Sequence, residues 1–170
     1  MNFIDLTKSR YSVRAYRPDP IEEGKLNQVL TAAQMAPTAA NRQPFRLIVI
    51  HVPGREQDLL KIYQRDWFVQ APIIICACGI PVEGWVRGFD QKNYTDVDVA
   101  IVMDHITLAA ASLGLGTCWI AAFNPVSARE ILKLPEGVEP IVFTPLGYPA
   151  DQLRPKVRKS LSELIHYEQW

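Results

Sequence analysis

Cysteine is scarce in this 170-residue chain: Cys76, Cys78 and Cys118 are an odd number and form no CxxC pair. Secreted disulfide frameworks run on even, spaced cysteines, and a zinc site needs a paired ligand spacing that these thiols and the scattered His51, His105 and His166 do not offer. The expectation is a reduced, cytoplasmic protein without a bound metal, its thiols serving as small core hydrophobes. An excess of charge is missing too. Eighteen Lys and Arg balance eighteen Asp and Glu, so no long-range field gathers nucleic acid or anionic lipid, and any cationic site must be local.

Long apolar runs are also absent. The most apolar stretch, 99–123, is interrupted by Asp104, His105, Gly114 and Gly116, which argues against a membrane span. Residues 1–8 lack the basic lead and apolar core of a secretory signal. No GxxxxGK[ST], GxSxG or HExxH occurs, which removes P-loop nucleotidases, α/β-hydrolases and zincins. Without repeats, low-complexity tracts or a domain-joining linker, residues 1–170 read as one domain, long enough to bury about 70% of its unfolded surface.

What is present alternates helix and strand signals. Asp19-Pro20-Ile21-Glu22 reads as a helix start, with Leu26, Val29, Leu30 and Ala33 on one face and Pro37 as the stop. Residues 45–52 and 72–79 read as strands, the second as a central strand covered on both faces. A short amphipathic helix is expected over 55–64, and strands over 117–120 and 141–146. Asn124-Pro125 opens a helix between those strands, and Ser160-Leu161-Ser162-Glu163 opens a last one with a capping box. Residues 98–113 look helical but are apolar all round, as expected for a helix buried in a large core or against a second subunit. The irregular stretch 81–94, carrying Trp85 and Phe89, reads as a mobile cover for a site.

Three polar clusters stand out. In an extended segment Arg10, Ser12 and Arg14 project to one side, a fork suited to one phosphate because guanidinium groups bind its oxygens bidentately. The same spacing suits a solvated basic surface, and spacing leaves both open. Pro37-Thr38-Ala39-Ala40-Asn41-Arg42-Gln43-Pro44 joins a helix to a strand. Its small residues let a ligand near the backbone, and two amides suit the edge of a heterocycle; an ordinary proline-terminated loop has the same make-up. Arg154-Pro155-Lys156-Val157-Arg158-Lys159 is basic and alternating. Gly114-Leu115-Gly116 begins like a dinucleotide fingerprint, but Trp119 stands in place of the third glycine and a helix precedes it, so a helix C-terminus is the better reading.

Taken in order, these clusters resemble the FMN-dependent nitroreductase family, whose members open with R-x-S-x-R/K, continue with a P-[ST]-[SA]-x-N-x-Q-P loop and close with a basic K-x-R. The family's Gly-Leu-Gly and Gly-Tyr-Pro match Gly114-Leu115-Gly116 and Gly147-Tyr148-Pro149, so four motifs are in register over nearly the whole chain. The resemblance implies an α+β fold with a mainly antiparallel central sheet sandwiched by helices. It also implies a homodimer with a long buried interface helix and non-covalent FMN at the interface. Arg10, Ser12, Lys156 and Arg158 would take the phosphate and ribityl end, with Arg14 beside the phosphate or the pyrimidine. Pro37, Thr38 and Ala39 would belong to the cofactor-binding loop whose Asn41 and Gln43 address the flavin edge, and the backbone around Gly114, Leu115 and Gly116 would face its N5 region. The implied activity is ping-pong transfer of hydride from NAD(P)H through N5 to a nitroaromatic, a quinone or a related small electrophile. No side chain is needed as a catalytic acid or base. A flavin-consuming or dehalogenating relative and a non-catalytic flavin-binding redox sensor are the alternatives.

Overall fold

A computed structural model describes residues 2–170. In chain order these form α1 (Phe3–Ser9), α2 (Glu23–Gln34), β1 (Phe45–His51), α3 (Glu56–Ile62), β2 (Ile73–Gly79), α4 (Thr95–Ser112), β3 (Gly116–Thr117), α5 (Pro125–Leu132), β4 (Glu139–Gly147) and α6 (Leu161–Leu164). Two 3-10 turns lie at Ala39–Asn41 and Asp66–Val69.

β2 carries no charge and no polar side chain beyond two thiols, and every residue of it is buried. Alternation then assigns its two faces. Ile73, Ile75 and Ala77 pack with Val29 and Ala33 of α2 and with Val99, Val102 and Ile106 of α4. Ile74, Cys76 and Cys78 pack with Leu59 and Ile62 of α3, Ala128 of α5, and Phe68 and Phe143. Burying each isoleucine side chain is worth about 1.5–3 kcal/mol, so the two faces of one strand tie both helical layers together. The strand order is β1-β2-β4-β3 with every pair antiparallel, the α+β sandwich expected.

α4 resolves the puzzle of a helix apolar all round. Val99, Val102, Met103, Ile106 and Ala110 face the sheet. Val97, Ile101 and Leu108 lie on the other side, Val97 exposed and the others half-buried. Leu108 and Ala109 line an open groove of about 360 Å³ with Phe3, Leu6, Ala32 and His105. The helix ends as expected at Gly114, whose φ of +76° is open to glycine without penalty. The Leu115 and Gly114 amides donate to the Ala110 and Ala111 carbonyls at 2.8 and 3.2 Å, a Schellman closure.

Three boundaries differ from the sequence expectation. α2 begins at Glu23 rather than after Asp19, because residues 15–17 are committed elsewhere. The Ala15 carbonyl accepts from Ala150 N–H, and Arg17 N–H donates to Tyr148 O at 2.9 Å. The Glu22 carboxylate receives the Tyr148 hydroxyl, so tertiary pairing overrides the local capping signature. α4 begins three residues earlier than Asp98, its Thr95 amide taken by the Asn93 side chain at 2.9 Å. β3 is only Gly116–Thr117, because Cys118 N–H turns to Thr144 Oγ1 at 3.1 Å before Ile120 pairs again with Phe143. The Asn124 cap of α5 and the Ser160 capping box of α6 are where the sequence puts them. Residues 81–94, expected to be irregular, carry local structure. Val86 pairs with Asn93, and Trp85 stacks edge-on against Tyr94 at 5.2 Å, while Phe89 stands fully exposed at the tip.

Candidate functional site

Gly116 sets the position of the N-terminal basic segment. A Cβ there would lie 2.6 Å from Val13 Cγ2, so only glycine lets the segment lie flat on β3. Ser12 pairs with Thr117 and Val13 N–H donates to Thr117 O at 2.9 Å. Val13 is buried, which leaves the odd and even side chains on opposite sides. Arg10, Ser12 and Arg14 share one neighbour, the Cys118 thiol. Burial pushes that thiol up, while Arg14, a hydrogen bond with Ser12, and Arg10 pull it down.

The C-terminal segment is stapled to the same place from some 140 residues away. Tyr11 donates its hydroxyl to the Asp151 carbonyl at 2.9 Å and to Asp151 Oδ1 at 3.1 Å, and Arg14 N–H donates to Asp151 Oδ2 at 2.8 Å. Lys156 Nζ donates to the Thr7 and Lys8 carbonyls at 2.9 and 2.6 Å. It thereby satisfies open carbonyls at the end of α1 and keeps one N–H free for another acceptor. Burial, then Arg10, then Arg158 hold the Lys156 ammonium below its usual value, so three cations from opposite ends of the chain converge. Among the described residues, none of Arg10, Arg14, Lys156 and Arg158 forms an ion pair. The nearby Asp151 carboxylate is spent on a phenol and an amide. Such a cluster suits a phosphomonoester, which carries about −1.5 to −2 charge.

Concavities flank this segment. One of about 190 Å³ lies between Arg10, Tyr11 and Val13 on one side and Gly114, Leu115 and Gly116 on the other. A second, of about 230 Å³, is lined by Tyr11, Ser12, Arg14, Asp151 and Arg154. Arg14 also borders a wider hollow with Tyr63, Arg65 and Trp67, and Tyr63 and Arg65 continue it toward Ala122. The trough therefore runs on past the phosphate-suited end. Sequence reasoning missed Tyr63, Arg65 and Trp67. Two aromatics and an arginine in a short helix-to-strand connection were the available signal.

The loop 37–44 is elsewhere. Ala39 N–H donates to Asp98 Oδ1 at 2.8 Å, which fixes the loop at the N-terminal end of α4, whereas Gly114 stands at the C-terminal end. Those ends are separated by about 24 Å at ~1.5 Å per residue. Ala40, Asn41 and Gln43 have φ of 51°, 54° and 53°, left-handed values that asparagine tolerates and alanine and glutamine rarely adopt. Gln43 Nε2 donates to the Asn41 carbonyl at 3.1 Å, and Gln43 N–H to Thr38 Oγ1 at 3.0 Å. Asn41 and Gln43 are exposed, while Thr38 and Ala39 are half-buried. One chain thus brings together Arg10, Ser12, Arg14, Gly114, Leu115, Gly116, Lys156 and Arg158, and leaves Pro37, Thr38, Ala39, Asn41 and Gln43 at the far end of α4.

Known proteins are similar over the whole of this architecture. A profile described as Nitroreductase family matches residues 7–67 and 52–148. An FMN reductase [NAD(P)H] of Bacillus subtilis (strain 168) is 30% identical, the match covering 92% of this chain and 70% of that protein. A putative NADH dehydrogenase/NAD(P)H nitroreductase of Methanothermobacter thermautotrophicus is 29% identical over 100% of this chain and 88% of its own. The crystal structure of a nitroreductase family protein from Clostridium difficile 630 superposes with a TM-score of 0.90 at 41% identity, covering 100% of both chains. With the basic cluster, the left-handed loop and the sandwich in place, this chain belongs to the nitroreductase family.

Proposed function

We propose that this chain is an FMN-dependent NAD(P)H oxidoreductase that works as a homodimer. The observation that carries the reading is the convergence of Arg10, Lys156 and Arg158, none of them paired with an acid. Its donor set fits the FMN phosphate: two guanidinium groups, the remaining ammonium N–H and the Ser12 hydroxyl offer charge-assisted bonds to a dianion. Arg14, at the junction with the wider hollow, suits the boundary between phosphate and ring. A positive group there would also stabilise negative charge on a reduced ring.

The separation of the two clusters supports the dimer. Two copies packed antiparallel through the outward stripe of α4 would set one chain's Pro37–Pro44 loop beside the other's basic cluster, completing a site that neither chain closes alone. In a two-fold contact the same patch serves both chains, and the exposed Val97, half-buried Ile101 and Leu108, and exposed Phe3 supply its apolar surface.

When bound, FMN would supply the redox chemistry, hydride uptake from NAD(P)H and delivery of electrons to a nitroaromatic, quinone or related small electrophile. The protein's own part is to bind and orient. The basic cluster anchors the phosphate, the Asn41 and Gln43 amides offer polar groups to the ring edge, and the backbone at Gly114 to Gly116 leaves room for close approach. The 81–94 hairpin, with Phe89 at its tip, is the available cover.

The test is a visible spectrum of the purified protein before and after FMN is added and excess is removed, followed by NADH in an anaerobic stopped-flow cell. The expected result is retained yellow flavin, bleached by NADH and restored by a nitroaromatic without loss of flavin. Protein that takes up no FMN refutes the reading, and flavin consumed during turnover points to the flavin-consuming alternative.

A further inference from the structure

The loop that carries Asn41 and Gln43 is strained, and its restraint comes from an unexpected place. Non-glycine residues in the left-handed region persist only where surrounding structure over-determines them. Inside the loop the bonds are local: Asn41 N–H to Thr38 O, Arg42 N–H to Ala39 O, and the Gln43 bonds to Thr38 and Asn41. Beyond the Phe45 N–H to Gln43 O bond at the start of β1, two bonds tie the loop to residues distant in sequence. Ile80 N–H donates to Pro44 O at its exit, and Ala39 N–H donates to Asp98 Oδ1 at its entry.

Asp98 is 2% exposed, and its second oxygen, Oδ2, has no partner among the described residues. A buried carboxylate with one oxygen unused is a costly choice in a packed face, and the neighbours Val99 and Val102 show what packing alone selects there. The first turn of α4 favours negative charge through the helix dipole, which lessens the cost without explaining the choice. The bond to Ala39 explains it. The carboxylate reaches across from the helix to the amide immediately before Ala40, the first left-handed residue.

We propose that Asp98 is a positioning residue for the cofactor site, holding the entry of the Thr38–Gln43 turn so that its left-handed backbone presents Asn41 and Gln43 outward. The role rests on the reading of this protein as an FMN enzyme, because the loop is what addresses the flavin edge. Asp98 itself touches no ligand. It acts through one backbone amide.

Two substitutions separate this role from simple packing. Asp98→Asn keeps an oxygen that accepts from Ala39 N–H, whereas Asp98→Val fills a similar volume and accepts nothing. Amide exchange of 38–43 is measured on the flavin-free protein, and FMN affinity by fluorescence titration. The expected result is exchange about tenfold faster in this loop alone, and FMN binding about tenfold weaker, in Asp98→Val, with both near wild type in Asp98→Asn. If Asp98→Val does not fold, Asp98→Ala reads the same quantities.

Unchanged loop exchange in the acceptor-less variants overturns the proposal. So does equal damage in Asp98→Asn, or a rise in exchange spread evenly over β2 and α4, which marks a packing role. If the wild-type protein takes up no FMN, the flavin reading fails while the exchange measurement still decides whether Asp98 holds the loop.

Discussion

Replacing Gly116 with alanine tests whether the N-terminal segment is placed by its fit to β3. The added Cβ would sit 2.6 Å from Val13 Cγ2 and 3.0 Å from both Val13 Cβ and Cγ1. Rotating Val13 gives no relief, since its Cβ and both methyls crowd the same point, and Val13 is 1% exposed with nowhere to move. Overpacking of this kind costs about 1–3 kcal/mol. The segment is held locally by the Val13 to Thr117 bond and the Ser12 pairing, so it can lift from β3 without unfolding the sheet. The strain then appears as lost FMN affinity, by about 5- to 150-fold. Flavin fluorescence titration reads this directly, and a thermal melt of the flavin-free protein reads any global share at about 2–4 °C per kcal/mol. Gly54→Ala is the control. Its φ is +83° with nothing within 4 Å of a new Cβ, so it loses stability through backbone strain, and it lines neither concavity beside the basic cluster. If Gly116→Ala melts lower, as Gly54→Ala does, yet binds FMN as tightly as wild type, the placement argument is wrong.

Arg10→Ala and Arg158→Ala are each expected to weaken FMN binding by about 1.5–3 kcal/mol, the worth of a charge-assisted hydrogen bond; equilibrium dialysis that finds both variants at wild-type affinity removes the phosphate site. Ile101→Glu or Leu108→Glu places a carboxylate on the outward stripe of α4 and should give a folded monomer that no longer retains flavin, as sedimentation and absorbance together report; a dimer that survives both changes places the interface elsewhere. Alkali should destabilise the fold through two phenols. Burial, then the hydrogen bond to Asp151 and that residue's charge, push Tyr11 up to about 12, and burial pushes Tyr16 well up. The unfolded chain ionises its tyrosines near pH ~10 while the folded one keeps these protons, so stability falls as pH rises from about 10 toward 12. Denaturant melts across that range should show a shallower decline in Tyr11→Phe, and an identical slope would remove Tyr11 from the account.

Much of the fold was legible because two kinds of signal are local. The unbroken apolar run of β2 marks a strand buried on both faces, and the Asn124 and Ser160 caps act within three residues. What failed was where distant segments compete for the same backbone. The capping signature at Asp19 is sound chemistry by itself, but Tyr148 and Ala150 bond to residues 15–17 and α2 begins only at Glu23. The strand expected over 117–120 loses its middle to one side-chain hydroxyl, Thr144, that no local pattern announces.

The site was legible as chemistry and incomplete as geometry. Arg10, Ser12 and Arg14 share one side because alternation in an extended segment is a local rule, and the order of the motifs joined them to Lys156 and Arg158. The same reasoning attached Asn41 and Gln43 to the ligand but gave no sign that α4 would hold them at its opposite end. Distance along a helix is simple arithmetic once the helix is known to link both clusters, and that link is made by Asp98, a residue that the sequence marks only as the beginning of an apolar run. α4 thus carries an apolar outer stripe and has one of the two proposed cofactor clusters at each end. In the proposed dimer one antiparallel copy would cover the stripe and complete both clusters, so dimerisation and cofactor binding are expected to fail together.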